Sequence, residues 1–306
     1  MSSGYDRTSA LVFAPGQVVR LKVAGYPFLA PDFRLPQNAT TLPLPTEMAG
    51  FSVTVSQRIG TSIGPSLAAP LISVEQQSIC AELTEGYGDL PDCFLTVLTV
   101  QMPFELVPPS FASPIDGPLP VTRVVIAHNG KSSVPFSALT LSDQIRVVTT
   151  CDSLRPSGSS CAFPGFPAVT HANGSMVTRQ SPAEPGEVVT IYAWGLGSSE
   201  PSVDTGKPTP PAIIRVPSEK IVVAFDFRSN AAASWRFGQA ASPPEFVGLT
   251  PGQVGLYQVN VKLPSAFPAL DPCNGGVGSN LTINIAGDNS FDGAAICVVV
   301  PSMLTT

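Results

Sequence analysis

The chain has 306 residues, 43% of them hydrophobic and only 12% charged, with a formal net charge of −6. That balance is too apolar for a disordered chain, and 16 Lys plus Arg are too few for the phosphate-neutralising surface of a nucleic-acid binder or for an anionic membrane surface. No apolar run approaches the ~20 residues of a spanning helix.

The 33 prolines and 26 glycines are spread along the chain. They read as punctuation between short strands, because proline cannot donate to a sheet ladder and glycine permits turn dihedrals. The start, Met1-Ser2-Ser3-Gly4, lacks the charged-then-apolar pattern of a leader peptide. Together with the cysteines below, this makes a mature exported protein the expectation, its leader already removed.

The first strand is expected at residues 18–23. Residues 51–55 alternate apolar and polar, as a strand with one buried and one wet face does. Residues 95–102 alternate too, with Val97, Thr99 and Gln101 on one face. Residues 122–127 run into Asn129-Gly130, a hairpin signal because this pair tolerates positive φ at both turn positions. Residues 134–141 would be the returning strand. Many short strands at this spacing predict antiparallel sandwiches rather than βαβ units.

The second half repeats this order. Ala14-Pro15-Gly16-Gln17-Val18-Val19 resembles Glu184-Pro185-Gly186-Glu187-Val188-Val189. Residues 51–55 align with 221–225, Leu98 to Pro103 with Val259 to Pro264, and 125–127 with 283–286. The order of matches is collinear, which sets them apart from chance likeness among Val-rich strands. The expectation is a first β-sandwich over 1–150, a Ser/Gly/Pro-rich linker over 151–174, and a second sandwich over 175–306.

Six cysteines fall into three local couples: Cys80 with Cys93, Cys151 with Cys161, and Cys273 with Cys297. Fifteen connectivities are formally open. Local pairing is expected because each couple brackets a loop or an apparent hairpin. No CxxC or Cys/His metal spacing occurs. Such loop clamps imply an oxidising compartment.

At these motifs the chain resembles the Solibacter-type C-terminal repeat of exported acidobacterial proteins, a family without an established activity, in two tandem copies. The likeness is carried by Ala14 to Val19, Ala69-Pro70-Leu71-Ile72-Ser73-Val74 and Val100-Gln101-Met102-Pro103-Phe104-Glu105-Leu106. In the second half it is carried by His171-Ala172-Asn173-Gly174-Ser175, Pro185 to Gly197 and Gly248 to Val261. The resemblance implies export and an immunoglobulin-like all-β fold, with no reaction. Cys80 to Cys93 and the 151–174 connection depart from the family pattern as insertions.

Candidate sites are few. Nucleophilic catalysis needs a base beside a Ser or Cys, and only His128 and His171 exist. His128, beside Asn129-Gly130, reads as a solvated turn, and His171 lies in the expected linker. No GxSxG elbow occurs. Asp288-Asn289-Ser290-Phe291-Asp292-Gly293 resembles the start of a calcium loop through Asp288, Ser290 and Asp292, although the twelfth position is Val299 and a polar hairpin turn explains the motif without a metal. Trp235 and Phe237 alternate onto one face and could stack on a sugar, or pack into a core. The expected function is a non-catalytic structural or adhesive module, secreted or on the cell surface, with no cofactor. Its partner would be an extracellular or envelope protein, or a glycan. A carbohydrate-binding module and an unrecognised hydrolase are the alternatives.

Overall fold

The computed structural model describes residues 11–24, 37–78, 94–109, 120–152, 165–217, 221–235 and 241–300. Every regular element among them is a strand. No helix of the described residues is long and apolar enough to cross a membrane. The contacts divide the chain into two units: Met1–Ser142 with Ser202–Thr209, and Asp143–Pro201 with Pro210–Thr306.

Unit 1 carries β1 (Val12–Phe13), β2 (Val18–Ala24), β3 (Gln37–Asn38), β4 (Glu47–Met48), β5 (Phe51–Ile59), β6 (Ser62–Ile63), β7 (Leu67–Ala68), β8 (Leu71–Ser78), β9 (Phe94–Gln101), β10 (Val121–His128), β11 (Lys131–Ser132) and β12 (Phe136–Thr140). One sheet runs β2-β9-β8-β3. The other runs β1-β12-β10-β5-β4, with β6, β7 and β11 at its margins. All pairs are antiparallel except β1 with β12. The alternation at 51–55 becomes a buried row, Phe51, Val53 and Val55, and these pack with Phe13, Leu21 and Leu98 in one core. Burying each such side chain contributes about 1.5–3 kcal/mol.

The hairpin after β10 forms as its sequence predicts: Asn129 and Gly130 have φ of 48° and 78°, and His128 pairs with Lys131. His128 itself differs from expectation. Its ring stacks on Phe51 at 4.2 Å, and burial lowers its pKa below the ordinary histidine value. The register explains this, since His128 lies directly opposite Phe51.

Unit 2 carries β13 (Arg146–Val147), β14 (Val169–Thr170), β15 (Val188–Trp194), β16 (Val222–Asp226), β17 (Ala241–Ser242), β18 (Phe246–Leu249), β19 (Tyr257–Lys262), β20 (Leu281–Ala286) and β21 (Phe291–Ile296). Its sheets run β13-β15-β19-β18, with β14 also on β15, and β17-β16-β20-β21. The expected linker over 151–174 is not a free connection in its described part. Both β13 and β14 pair with β15, so the division falls at 142/143 rather than 150. Tyr257 is fully buried and its hydroxyl donates to the Gly197 carbonyl. Burial pushes its pKa up.

The two units share their strand order. The run β2-β9-β8 corresponds to β15-β19-β18, and β12-β10-β5 to β21-β20-β16. Register agrees as well: Val18 lies opposite Gln101, and Val188 opposite Lys262. Gly16 N donates to Pro103 O at 3.4 Å and Gly186 N to Pro264 O at 2.9 Å; Met102 N donates to Gln17 O and Leu263 N to Glu187 O, each at 2.8 Å. Both glycines have positive φ, 71° and 76°. That is why each turn reads Pro-Gly.

Candidate functional site

The hairpin of β20 and β21 turns at residues 287–290, where Gly287 N donates to Ser290 O at 2.9 Å. The calcium-like motif occupies this turn and the start of β21. Ser290 Oγ accepts the Ile145 N–H at 2.7 Å and donates to Asp143 Oδ1 at 2.6 Å. Asp292 Oδ2 accepts the Val147 N–H at 2.8 Å, and its Oδ1 the Gly293 N–H at 2.9 Å.

The backbone explains the arrangement. Gln144 donates to Gly195, just past the end of β15, and Val148 to Tyr192 on β15. The intervening N–H groups, of Ile145 and Val147, face the other way and meet Ser290 and Asp292. These two side chains stand in for a neighbouring strand, and their two-residue spacing is the strand period. A calcium loop uses the same alternation. Asp288 is exposed. Among the described residues no cluster of three or more His, Cys, Asp or Glu could hold a metal ion.

Asp143 is the anchor that the sequence reading missed. Its carboxylate is buried, accepts the Asn289 N–H at 3.0 and 3.2 Å, and packs against Gly287, where a Cβ would come within 2.6 Å of its carboxyl carbon. Nearby, Asp152 accepts the Thr149 N–H. Burial raises its pKa, opposed by the Thr149 hydrogen bonds and the Arg146 charge and assisted by the Asp292 charge.

A second cluster unites three residues that no motif linked. Glu187 Oε1 lies 2.6 Å from His171 Nδ1, and Ser181 Oγ lies 3.2 Å from His171 Nε2. The order Glu–His–Ser is that of a hydrolytic triad, but each group also has a backbone task. Glu187 Oε2 accepts the Glu184 N–H at 2.9 Å. In unit 1 Gln17 Oε1 does the same for Ala14 N at 2.8 Å. His171 Nε2 also lies 3.2 Å from the Ser181 carbonyl. The Ser181 N–H donates to Thr178 Oγ1 at 3.0 Å, and the following residue is Pro182, which has no N–H to offer an oxyanion. The imidazole therefore clamps the 171–181 turns to the start of β15. The sequence signals this only by Glu at 187 where unit 1 has Gln, which does not by itself name His171 as the partner.

Trp235 is half-buried, and Phe237 lies outside the described residues. The segment leading to Trp235 lies over β20. Thr282 Oγ1 donates to Ala231 O at 2.8 Å, and Asn284 Oδ1 accepts the Ser234 N–H at 2.9 Å. Cys273 and Cys297 are disulfide-bonded. Cys151 is also in a disulfide; its expected partner Cys161, and the pair Cys80 and Cys93, lie outside the described residues. The chain matches no protein-family model and no curated protein sequence.

Proposed function

We propose that the chain is a non-catalytic interaction module of an exported or cell-surface protein, built from two copies of one immunoglobulin-type sandwich, and that its partner is an envelope or extracellular protein. The observation that carries this reading is a set of exposed apolar side chains on the larger sheet of unit 1, with Arg58 between two of them. Ile63 lies opposite Arg58, Arg58 opposite Val121, and Leu139 opposite Val12. Ile63, Val121 and Leu139 are 74%, 44% and 42% exposed. Exposed apolar groups gathered on one sheet around an arginine favour a binding face over scattered surface residues.

The duplication is supported by the shared strand order and by the matched turns at Gly16 and Gly186. The parallel pairing of β1 with β12, echoed by Ala183 with Val298, supports the immunoglobulin-type arrangement. Export is supported by the Cys273–Cys297 bond and by the resemblance to the Solibacter-type repeat. The non-catalytic reading is supported by the structural tasks of Glu187, His171 and Asp292.

The test is quantitative capture from an envelope extract, comparing the native chain with an Ile63→Lys, Leu139→Lys variant. Substitutions at such exposed sites change stability by about 0.5 kcal/mol or less. Loss of one saturable protein partner in the variant is the expected result. Equal capture by both chains sinks the apolar face as the site, and saturable glycan binding unaffected by the variant would favour the sugar-binding alternative.

A further inference from the structure

The chain returns to unit 1 at Ser202–Thr209, and the contacts there have the form of a bound peptide. Gly206 is buried at their centre. Its N–H donates to Gln101 Oε1 at 2.7 Å, and its carbonyl accepts the Leu44 N–H at 2.8 Å. Thr205 Oγ1 accepts the Phe104 N–H at 2.9 Å and donates to Glu105 Oε2 at 2.7 Å. The segment also shapes itself: Lys207 N reaches Asp204 O at 3.3 Å, and Lys207 Nζ reaches Asp204 Oδ2 at 2.6 Å.

These contacts are selective. Gly206 has φ of 79°, and a Cβ there would come within 2.9 Å of Pro70 Cγ, so the position demands glycine on both backbone and steric grounds. The preceding residue needs a hydroxyl that can donate and accept at once. The receiving side is prepared too. Gln101 Nε2 points at Gly16 O, 3.4 Å away, which turns Oε1 toward Gly206. The corresponding position of unit 2 is Lys262, which is exposed, and the Phe104 position there is Ser265.

We propose that Leu44, Pro70, Gln101, Phe104 and Glu105 form a recognition site for a Thr-Gly turn, with Ser202–Thr209 as its tethered ligand, and that the same segment of a second copy can take its place. Tethering raises the local concentration of the segment, so the chain's own copy holds the site by default. A partner segment enters when that copy is released, as in domain exchange. The inference is independent of the exposed apolar residues on the larger sheet.

The test uses the full chain and a fluorescent synthetic peptide spanning residues 200–211, which stands in for the segment of a second copy. Gly206→Val in the chain should expel the tether, and fluorescence anisotropy should then show peptide affinity at least tenfold higher than with the native chain. A peptide that itself carries Gly206→Val should bind neither chain. A folded G206V chain that does not take up the native peptide, or that binds both peptides alike, overturns the proposal. If G206V does not fold, Thr205→Val decides, since it deletes only the hydroxyl. A folded T205V chain must gain peptide affinity, and no gain overturns the proposal.

Discussion

Gln101 and Lys262 end equivalent strands of the two units, opposite Val18 and Val188. Gln101 is fully buried and hydrogen-bonded on both ends of its amide, whereas Lys262 is exposed. The neighbouring turns differ in the same sense. Phe104 lies over Gly16, where a Cβ would come within 2.0 Å of the ring, while the nearest atom to a Cβ at Gly186 is Ser265 Cα at 3.9 Å. One frame thus carries a covered end in unit 1 and an open end in unit 2. The lesson is that strand order and register tolerate opposite demands at one position, because the backbone ladder does not depend on what covers the side chain.

Gln101→Lys is the harshest way to break this comparison. A buried, unpaired ammonium costs about 3–5 kcal/mol, so denaturant unfolding should show a loss of that order, while Lys262→Gln stays within about 0.5 kcal/mol. Similar responses at the two sites would refute the asymmetry. Next in size are the turn glycines. Alanine at either incurs about 1–2 kcal/mol for a left-handed backbone, and Gly16→Ala adds about 1–3 kcal/mol for crowding Phe104. Thermal melts should therefore rank G16A well below G186A.

Exchanging the turn-closing residues sharpens the comparison further. Glu187→Gln keeps an acceptor for the Glu184 N–H but loses the charge facing His171, for a loss of about 1 kcal/mol. Gln17→Glu places a carboxylate at a buried position and should be the more damaging, at about 2 kcal/mol by the desolvation of an added charge. Denaturant midpoints that leave Glu187→Gln as stable as the native chain would remove the clamp reading of His171.

The smallest expected effect is the pH response of Asp152. Its folded pKa is raised, so the native state holds that proton more tightly than the unfolded chain. The resulting stability is present below the ordinary aspartate pKa and is lost as pH rises through the raised value. Asp152→Asn keeps an acceptor for Thr149 and removes the titration. Relative to the native chain it should therefore gain stability as pH rises from about 4 toward 7. A stability difference between the two chains that is flat with pH would contradict this.

Much of the architecture was legible in the residues. Apolar alternation at 51–55, the Asn129-Gly130 turn and the paired Pro-Gly turns are local signals, set by side-chain period and by φ preferences within a few residues. The Cys273–Cys297 bond was legible because its cysteines bracket one hairpin. Tertiary structure alone decided the rest. Asp143 meets Ser290 across 147 residues, Gly206 meets Gln101 across 105, and His171 meets Glu187 across 16. Polar side chains carry no period that betrays a distant partner, and a Ser-x-Asp spacing serves a strand edge as well as a calcium ion. Local sequence determined where strands and turns would be, because their energetics are local; the use of each polar group was decided by whichever unpaired backbone N–H or side chain the fold brought within hydrogen-bonding distance.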